Sequence, residues 1–407
     1  MSTAKYWIWL AGRKGLGGLG VNRILDHFGT PEAAFFADPE EYNLLEGLPA
    51  GASESLKDKS LDRAEQVLAD CDRLLLQVLT RQDADYPNRL RQLPDAPAVL
   101  YIKGKLPRFD DEVAVAVVGS RGATEYGVGT AARFGLELTR RGALVISGIA
   151  QGIDTAALKG ALQAGGPVVS VLGGGVDVPY PRENRFLYED VAAAGALISE
   201  YPPGTENKGA HFPVRNRIIS GLALGVLAVE AEEHSGTMIT AHLAADQGRD
   251  VFAVPGPIDA PMSRGTNLLI QEGAQLVRDP GDILRCYEMY WPGRLRRAAP
   301  LPLECAQARV EEAVRAIPRE EPPRQEKIDT KEKRAYISMR EQPELFTDDE
   351  RAILTAAAEG ELTADEIIDR TQIPARRVLS ALTMLQLNGY VEERPGRRFR
   401  ALVLLKD

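Results

Sequence analysis

From Glu112 onward the chain repeats one pattern: a short apolar run, a glycine-bearing turn, then a stretch with helical spacing. The runs are Val113–Val118, Leu144–Ile146, Val168–Leu172, Ala196–Ser199, Val226–Val229 and Val251–Val254, several of them rich in β-branched residues. Between them lie Tyr126–Arg140, Asp154–Ala164, Thr237–Gln247 and similar segments with apolar residues three and four apart. A strand apolar on both faces must be covered on both faces, and helices returning between parallel strands supply that cover. The pattern therefore predicts an α/β domain with a doubly wound, mostly parallel sheet over about residues 110–285.

The flanks read differently. Residues 1–80 carry short helical patterns (Val21–Phe28, Pro31–Phe36, Leu61–Leu76) and predict a small helical domain of helix-hairpin-helix character. Gly15-Leu16-Gly17-Gly18-Leu19-Gly20 has dinucleotide-fingerprint spacing, but the stretch about 20 residues on, Ala37-Asp38-Pro39-Glu40-Glu41, is not strand-like. It reads as a glycine hairpin between two helices. Residues 81–110 are a Pro- and Asp-rich connection with one strand at Ala98–Ile102, so the α/β domain is taken as 81–290. Seven prolines in 292–343 and the mixed-charge run Arg319–Arg334 predict a linker over 291–344, with some helix at Cys305–Ala316. Residues 345–407 read as three helices, Asp348–Ala358, Thr363–Arg370 and Pro374–Asn388, then strand, turn and strand at Tyr390–Glu393, Arg394–Arg397 and Arg398–Leu402. Thr363 is an N-cap candidate with Glu366 at the capping-box position. Three helices and a hairpin make a winged helix.

In an open α/β sheet, ligands bind beyond the carboxyl ends of the strands, where helix N-termini also point. Glycine concentrates there: Gly119-Ser120-Arg121-Gly122, Ser147-Gly148-Ile149-Ala150-Gln151-Gly152-Ile153-Asp154, Gly173-Gly174-Gly175, Ser235-Gly236-Thr237 and Pro255-Gly256-Pro257. Glycine lets backbone approach an anion, so five such turns on one edge, with Arg121 in the first, predict a phosphate-binding face. The other reading of each glycine is a tight turn. A second cluster, His211-Phe212-Pro213-Val214-Arg215-Asn216-Arg217, follows Lys208. Arg215 and Arg217 can fork onto phosphates and Phe212 can stack on an unpaired base. Alternatively, the arginines make structural salt bridges and Phe212 fills the core.

Composition limits the functions open to the chain. Its 407 residues carry 49 Lys+Arg against 58 Asp+Glu, a net charge of −9, so any polyanion site must be a local concentration of cations. No apolar run approaches the ~18 residues of a membrane span, and Met1–Tyr6 does not open a secretory signal. Cys71, Cys286 and Cys305 lie far apart, which disfavours structural zinc or disulfides and suits the cytoplasm. A P-loop, an H-E-x-x-H and a G-x-S-x-G are all missing, and His27, His211, His234 and His242 are scattered. Asp154, Asp177 and Glu230 lie near strand ends as acid or base candidates but assemble no catalytic set, so no catalytic residue, metal or cofactor is expected. In the last domain, residues 374–400 hold six arginines and two glutamates (6 − 2 = +4), whereas 347–370 hold two arginines and eight acids (2 − 8 = −6). That polarity suits duplex DNA contact through the third helix and wing, or docking to protein.

Taken together in order, Gly119-Ser120-Arg121, Ser147-Gly148-x-Ala150-x-Gly152-Ile153-Asp154, Gly173-Gly174-Gly175, Tyr180-Pro181 and Phe212-Pro213-x-Arg215-Asn216-Arg217-Ile218-Ile219-Ser220-Gly221 resemble the DprA/Smf family of bacterial DNA-processing proteins. Ser235-Gly236-Thr237-x-x-Thr240-Ala241 and Val254-Pro255-Gly256 continue the resemblance, which is dense over about 80–285. It implies an extended Rossmann-like domain that binds single-stranded DNA, protects incoming strands and helps load the RecA recombinase in natural transformation, usually as a homodimer. Carried over by motif, Ser120 and Arg121 would hold backbone phosphate, with Gly119, Ser147 and Gly148 also among the expected nucleic-acid-binding residues. Arg215 and Arg217 would line the groove, Phe212 would meet a base, and Asn216 is expected among the binding residues. Lys208 stands in a looser stretch. Two other readings stay open. One is a nucleotide-handling enzyme akin to the phosphoribohydrolases with P-G-G-x-G-T-x-x-E, where Thr240 stands in place of the glutamate. The other is a transcription regulator whose winged helix reads duplex DNA.

Overall fold

The computed structural model describes residues 3–48, 51–295, 335–338, 346–358, 360–394 and 398–406. The chain divides into two units, Met1–Ile317 and Pro318–Asp407. The first opens with five helices: α1 (Ala4–Ala11), α2 (Gly17–Phe28), α3 (Pro31–Phe36), α4 (Ala52–Leu56) and α5 (Asp62–Arg73). Trp9, Leu10, Ile24, Tyr42 and Leu56 fill their core. The connection from α1 to α2 is residues 12–16, and residues 17–20 of the expected glycine hairpin form the first turn of α2. Gly15 and Gly17 have positive φ (77° and 57°), a region that glycine enters without strain.

Strands β1 (Gln77–Thr80) and β2 (Val99–Gly104), with the single turn α6 (Asn88–Arg91) between them, lead into the α/β layers. These are β3 (Ala114–Val118), α7 (Glu125–Arg140), β4 (Leu144–Ser147), α8 (Ile153–Gln163), β5 (Val168–Val171), α9 (Arg185–Ala194) and β6 (Ala196–Ser199). There follow α10 (His211–Leu222), β7 (Gly225–Ala228), α11 (Gly236–Asp246), β8 (Asp250–Ala253), α12 (Pro261–Gln271), β9 (Gln275–Leu276) and α13 (Pro280–Leu284). The nine strands form one sheet in the order β1-β2-β6-β5-β4-β3-β7-β8-β9. From β6 to β9 all neighbours are parallel, and β2 pairs antiparallel with both β1 and β6. The strand order turns back at β3, between β4 and β7, which is the switch point where the edge opens.

Alternate residues of β3 face opposite layers. Val113, Val115 and Val117 belong to the layer with Phe134 and Leu158, whereas Ala114, Ala116 and Val118 face the layer with Ile218 and Leu222. That two-sided burial is what the apolar runs required. One expectation needs correction: the helix expected over Leu61–Leu76 ends at Arg73, and β1 follows where no strand was expected. The strand expected at Ala98–Ile102 is β2, and by pairing with β6 it ties the Pro-rich connection into the sheet.

The second unit holds β10 (Ala335–Ser338), α14 (Asp348–Ala358), β11 (Leu362–Thr363), α15 (Ala364–Thr371), α16 (Ala375–Leu387), β12 (Val391–Arg394), β13 (Arg398–Ala401) and β14 (Val403–Lys406). Strands β11, β13 and β12 form the winged-helix sheet, and β10 pairs parallel with β14. The Thr363–Glu366 capping box is present. Phe346, Ile353, Leu382, Leu385 and Phe399 fill the core. The expected helix at Cys305–Ala316, the charged run and the tip at 395–397 lie outside the described residues. Among the described residues, no helix is long and apolar enough to cross a membrane.

Candidate nucleic-acid interface

The loops after β3, β4 and β5 meet the start of α10 at the carboxyl edge of the sheet. Arg215, on α10, is the tie: Nη1 donates to Gly148 O (2.8 Å) and to Val171 O, joining the ends of β4 and β5. Phe212 lies one helical turn earlier, against Gly173, where any Cβ would press on its ring. The Arg121 guanidinium sits over the Phe212 ring at 4.9 Å, and the Tyr180 ring lies 5.5 Å away. His211 Nδ1 is 2.9 Å from Gly173 O, with the imidazole stacked on Tyr201 at 4.2 Å. The result is a ledge of one exposed guanidinium and two rings, with Arg121 and Tyr180 open to solvent and Phe212 half-buried.

The turns themselves are closed by the protein's own carboxylates. Asp154 is buried, and its Oδ2 accepts from Gly148 N (3.1 Å) and Ala150 N (3.4 Å). Burial holds its carboxyl above the usual range, against the pull of Arg215 and of those N–H groups. Glu230, also buried, accepts at Oε2 from Thr124 N (2.8 Å) and at Oε1 from the Thr124 hydroxyl (2.6 Å), at the start of α7. The first βα turn, which in dinucleotide-binding domains receives pyrophosphate, thus already has a carboxyl group hydrogen-bonded at its helix end. Asp177 accepts from Gly204 N (2.9 Å). Asp154 and Asp177 thus accept from backbone N–H groups, and Glu230 from both the backbone and the hydroxyl of Thr124.

Ile149 adopts φ 56°, a left-handed conformation that a β-branched residue avoids. It persists because the side chain is buried and the carbonyl accepts from Asn184 Nδ2 (2.8 Å). Next to it, Gly152 (φ 77°) lies so close to the carbonyls of Ser120 and Arg121 that a Cβ would collide with both. Several rim glycines are therefore demanded by packing: Gly119 lies against Ile153 and Gly148 against the Arg215 guanidinium.

Half of the expected site residues lie on the ledge and half beneath it. Gly119 and Ser120 are half-buried, and Arg121 and Lys208 are exposed with no ion pair among the described residues. Ser120 Oγ accepts from Gly122 N (3.1 Å), shaping its own turn. The expectation that Arg215 and Arg217 line an open groove is corrected. Both are buried, because Arg215 is consumed by carbonyls and Arg217 by carboxylates: Nε meets Asp95 Oδ2 at 3.0 Å and Nη2 meets Glu200 Oε2 at 2.7 Å. Ser147 is buried with its hydroxyl donating to Val117 O (2.7 Å), Gly148 is buried under Arg215, and Asn216 reaches Gly236 O (3.4 Å). These three serve the turns from below. Two exposed cations that motif reading passed over, Arg182 and Arg185, flank Asn184 on the same edge, and Phe186 beside them is 49% exposed. Glu183 and Glu206 are exposed on the same loops. Where a hydrolase of the rival type has a glutamate, the buried Thr240 donates its hydroxyl to Gly236 O (3.0 Å).

In the winged helix, Arg377 forks onto Asp349 (2.7 Å at both oxygens), Arg394 pairs with Glu392 (3.0 Å) and Arg398 donates to Glu361 O (3.1 Å). Much of the positive charge expected for duplex contact is thus engaged within the unit.

Residues 77–288, which carry this edge, match the family described as DNA recombination-mediator protein A. The chain belongs to that family. Residues 338–397 match the DprA winged helix domain. Protein Smf of Synechocystis is 31% identical over 403 residues, spanning 98% of this chain and 99% of its own. The DNA processing protein DprA of Streptococcus pneumoniae is 44% identical over 208 residues, 51% of this chain and 72% of that one. The X-ray structure of DprA from Streptococcus pneumoniae superimposes with a TM-score of 0.62 at 33% identity, covering 70% of this chain and 98% of that chain. This DprA/Smf chain accordingly has a DNA-processing role in recombination, on the α/β-plus-winged-helix architecture expected from its motifs.

Proposed function

We propose that this DprA/Smf protein captures single-stranded DNA on the ledge of Arg121, Phe212 and Tyr180, protects it, and delivers it to a RecA-type recombinase as a homodimer. The observation that carries the reading is the Arg121 guanidinium held over the Phe212 ring at the open edge of the sheet. A cation beside exposed aromatic faces suits an unpaired strand, whose phosphates and bases are both accessible, better than a duplex, whose bases are stacked away. The protection and RecA steps and the dimer rest on the motif resemblance. Arg215 and Arg217 act from beneath, fixing the turns.

The test is anisotropy titration of labelled poly-dT with and without duplex competitor across a salt series. Two to four free cations, Arg121 and Lys208 with or without Arg182 and Arg185, give a log–log salt slope of roughly −1.5 to −3 for a single strand. A flat salt response, or duplex competing as well as poly-dT, overturns the reading.

A further inference from the structure

Glu230 is a buried acid with an unusual position: it holds both ends of the segment that carries Arg121. Its backbone carbonyl accepts from Ser120 N (2.8 Å), extending the β3–β7 ladder by one step. Its carboxylate holds Thr124, four residues on, by two hydrogen bonds of 2.8 and 2.6 Å. Thr124 in turn caps α7, its hydroxyl accepting from Gly127 N (3.2 Å). Gly127 is required there, because a Cβ would strike the carboxylate. On its other side the segment rests on α8, where Ile153 N donates to Ser120 O (3.3 Å). Glu230 makes no ion pair among the described residues. Its carboxyl oxygens take the backbone N–H and the hydroxyl of Thr124, at the start of α7. Arg121 itself has no hydrogen bond or ion pair among the described residues to fix it, so its placement over Phe212 depends on where this segment is clamped.

We infer that Glu230 is the positioning residue for Arg121: its carboxylate clamps the Gly119–Thr124 segment so that the guanidinium stays over Phe212 for a strand phosphate. The inference rests on the single-strand reading above. Losing the clamp frees the segment and lowers affinity by about tenfold, the scale of one hydrogen bond to a charged group.

The experiment is a double-mutant cycle on the full chain, with labelled poly-dT binding of the wild type, R121A, E230A and R121A/E230A. R121A and E230A each weaken binding by about tenfold, and the double variant binds no more weakly than R121A alone, because Glu230 acts through Arg121. If E230A does not fold, E230Q replaces it in the same cycle, keeping the shape of the side chain without its charge. Losses that multiply in the double variant show a general structural role and overturn the inference. Undiminished binding by the Glu230 variant beside a weakened R121A overturns it while leaving the single-strand reading intact. A wild type that does not bind poly-dT overturns that reading, and the clamp falls with it.

Discussion

Replacing Arg217 by Ala should break the fold's stability before it touches DNA contact, and the size of the effect follows from burial. The Arg217 side chain is 9% exposed, Glu200 16% and Asp95 35%. Removing the guanidinium leaves Glu200 buried and uncompensated, a loss of about 3 kcal/mol. Asp95, more than a third exposed, adds under ~1 kcal/mol. For an α/β domain of this size each kcal/mol lowers Tm by about 2–4 °C, so R217A should melt roughly 10 °C below the wild type. The deficit should depend on pH. Burial already holds the Glu200 carboxyl above its usual range against the pull of Arg217, and without Arg217 it rises further. A carboxyl with a raised folded pKa contributes stability that is complete below its unfolded value, about 4.3, and is lost as pH rises through the folded value. The gap between R217A and the wild type should therefore be wider at about pH 8 than at about pH 5. Thermal melts at both pH values, paired with poly-dT titration of the folded variant, check this. Equal melting temperatures with abolished DNA binding would refute the structural assignment of Arg217 and return it to the groove.

R121A should leave Tm within about 1 °C while weakening all single-stranded sequences alike by about tenfold, since a phosphate contact carries no sequence information; melting and titration with poly-dT and mixed-sequence oligonucleotides decide it. F212A should weaken binding by about 1–3 kcal/mol through lost stacking, with little change in salt slope, and a changed slope with unchanged affinity would contradict stacking. G152A should lower Tm by several degrees and weaken poly-dT binding together, because φ 77° and the carbonyls of Ser120 and Arg121 leave no room for a Cβ; a variant that melts and binds like the wild type would refute that close approach.

The sheet was legible where burial is two-sided. Val113–Val118 and Val168–Leu172 announce β3 and β5 because β-branched residues fill both faces of a covered strand. Gln77–Thr80 escaped because only Leu79 and Thr80 are buried, and Val78 continues the apolar spacing of α5. Gln275–Leu276 is two exposed residues, too short for any period. At the site, Gly119-Ser120-Arg121 and Phe212 were legible as an ordered motif, and Arg121 and Phe212 do lie together. The roles of Arg215 and Arg217 were not legible, since an arginine that pairs inward and one that pairs outward have the same local sequence. Asp95, which decides the matter for Arg217, sits in a connection distant in the chain. Glu230 was visible only as an acid near a strand end. Its partner Thr124 belongs to a different βα turn, and only the β3–β7 pairing brings the two together.

The inward turn of the rim carboxylates is what would let an acidic chain offer the proposed phosphate site. Asp154, Glu200 and Glu230 point into the protein, where they pair with N–H groups, with Arg217 or with the start of α7. The outward groups at the same edge include Arg121, Arg182, Arg185 and Lys208. At 0.1 M salt, charges more than about 10 Å away are largely screened, so the net −9 of the whole molecule scarcely reaches the ledge. Exposed Glu183 and Glu206 on the same loops prevent a broad positive field. A strand bound there as proposed would be held by contact at the ledge and would gain little from long-range steering.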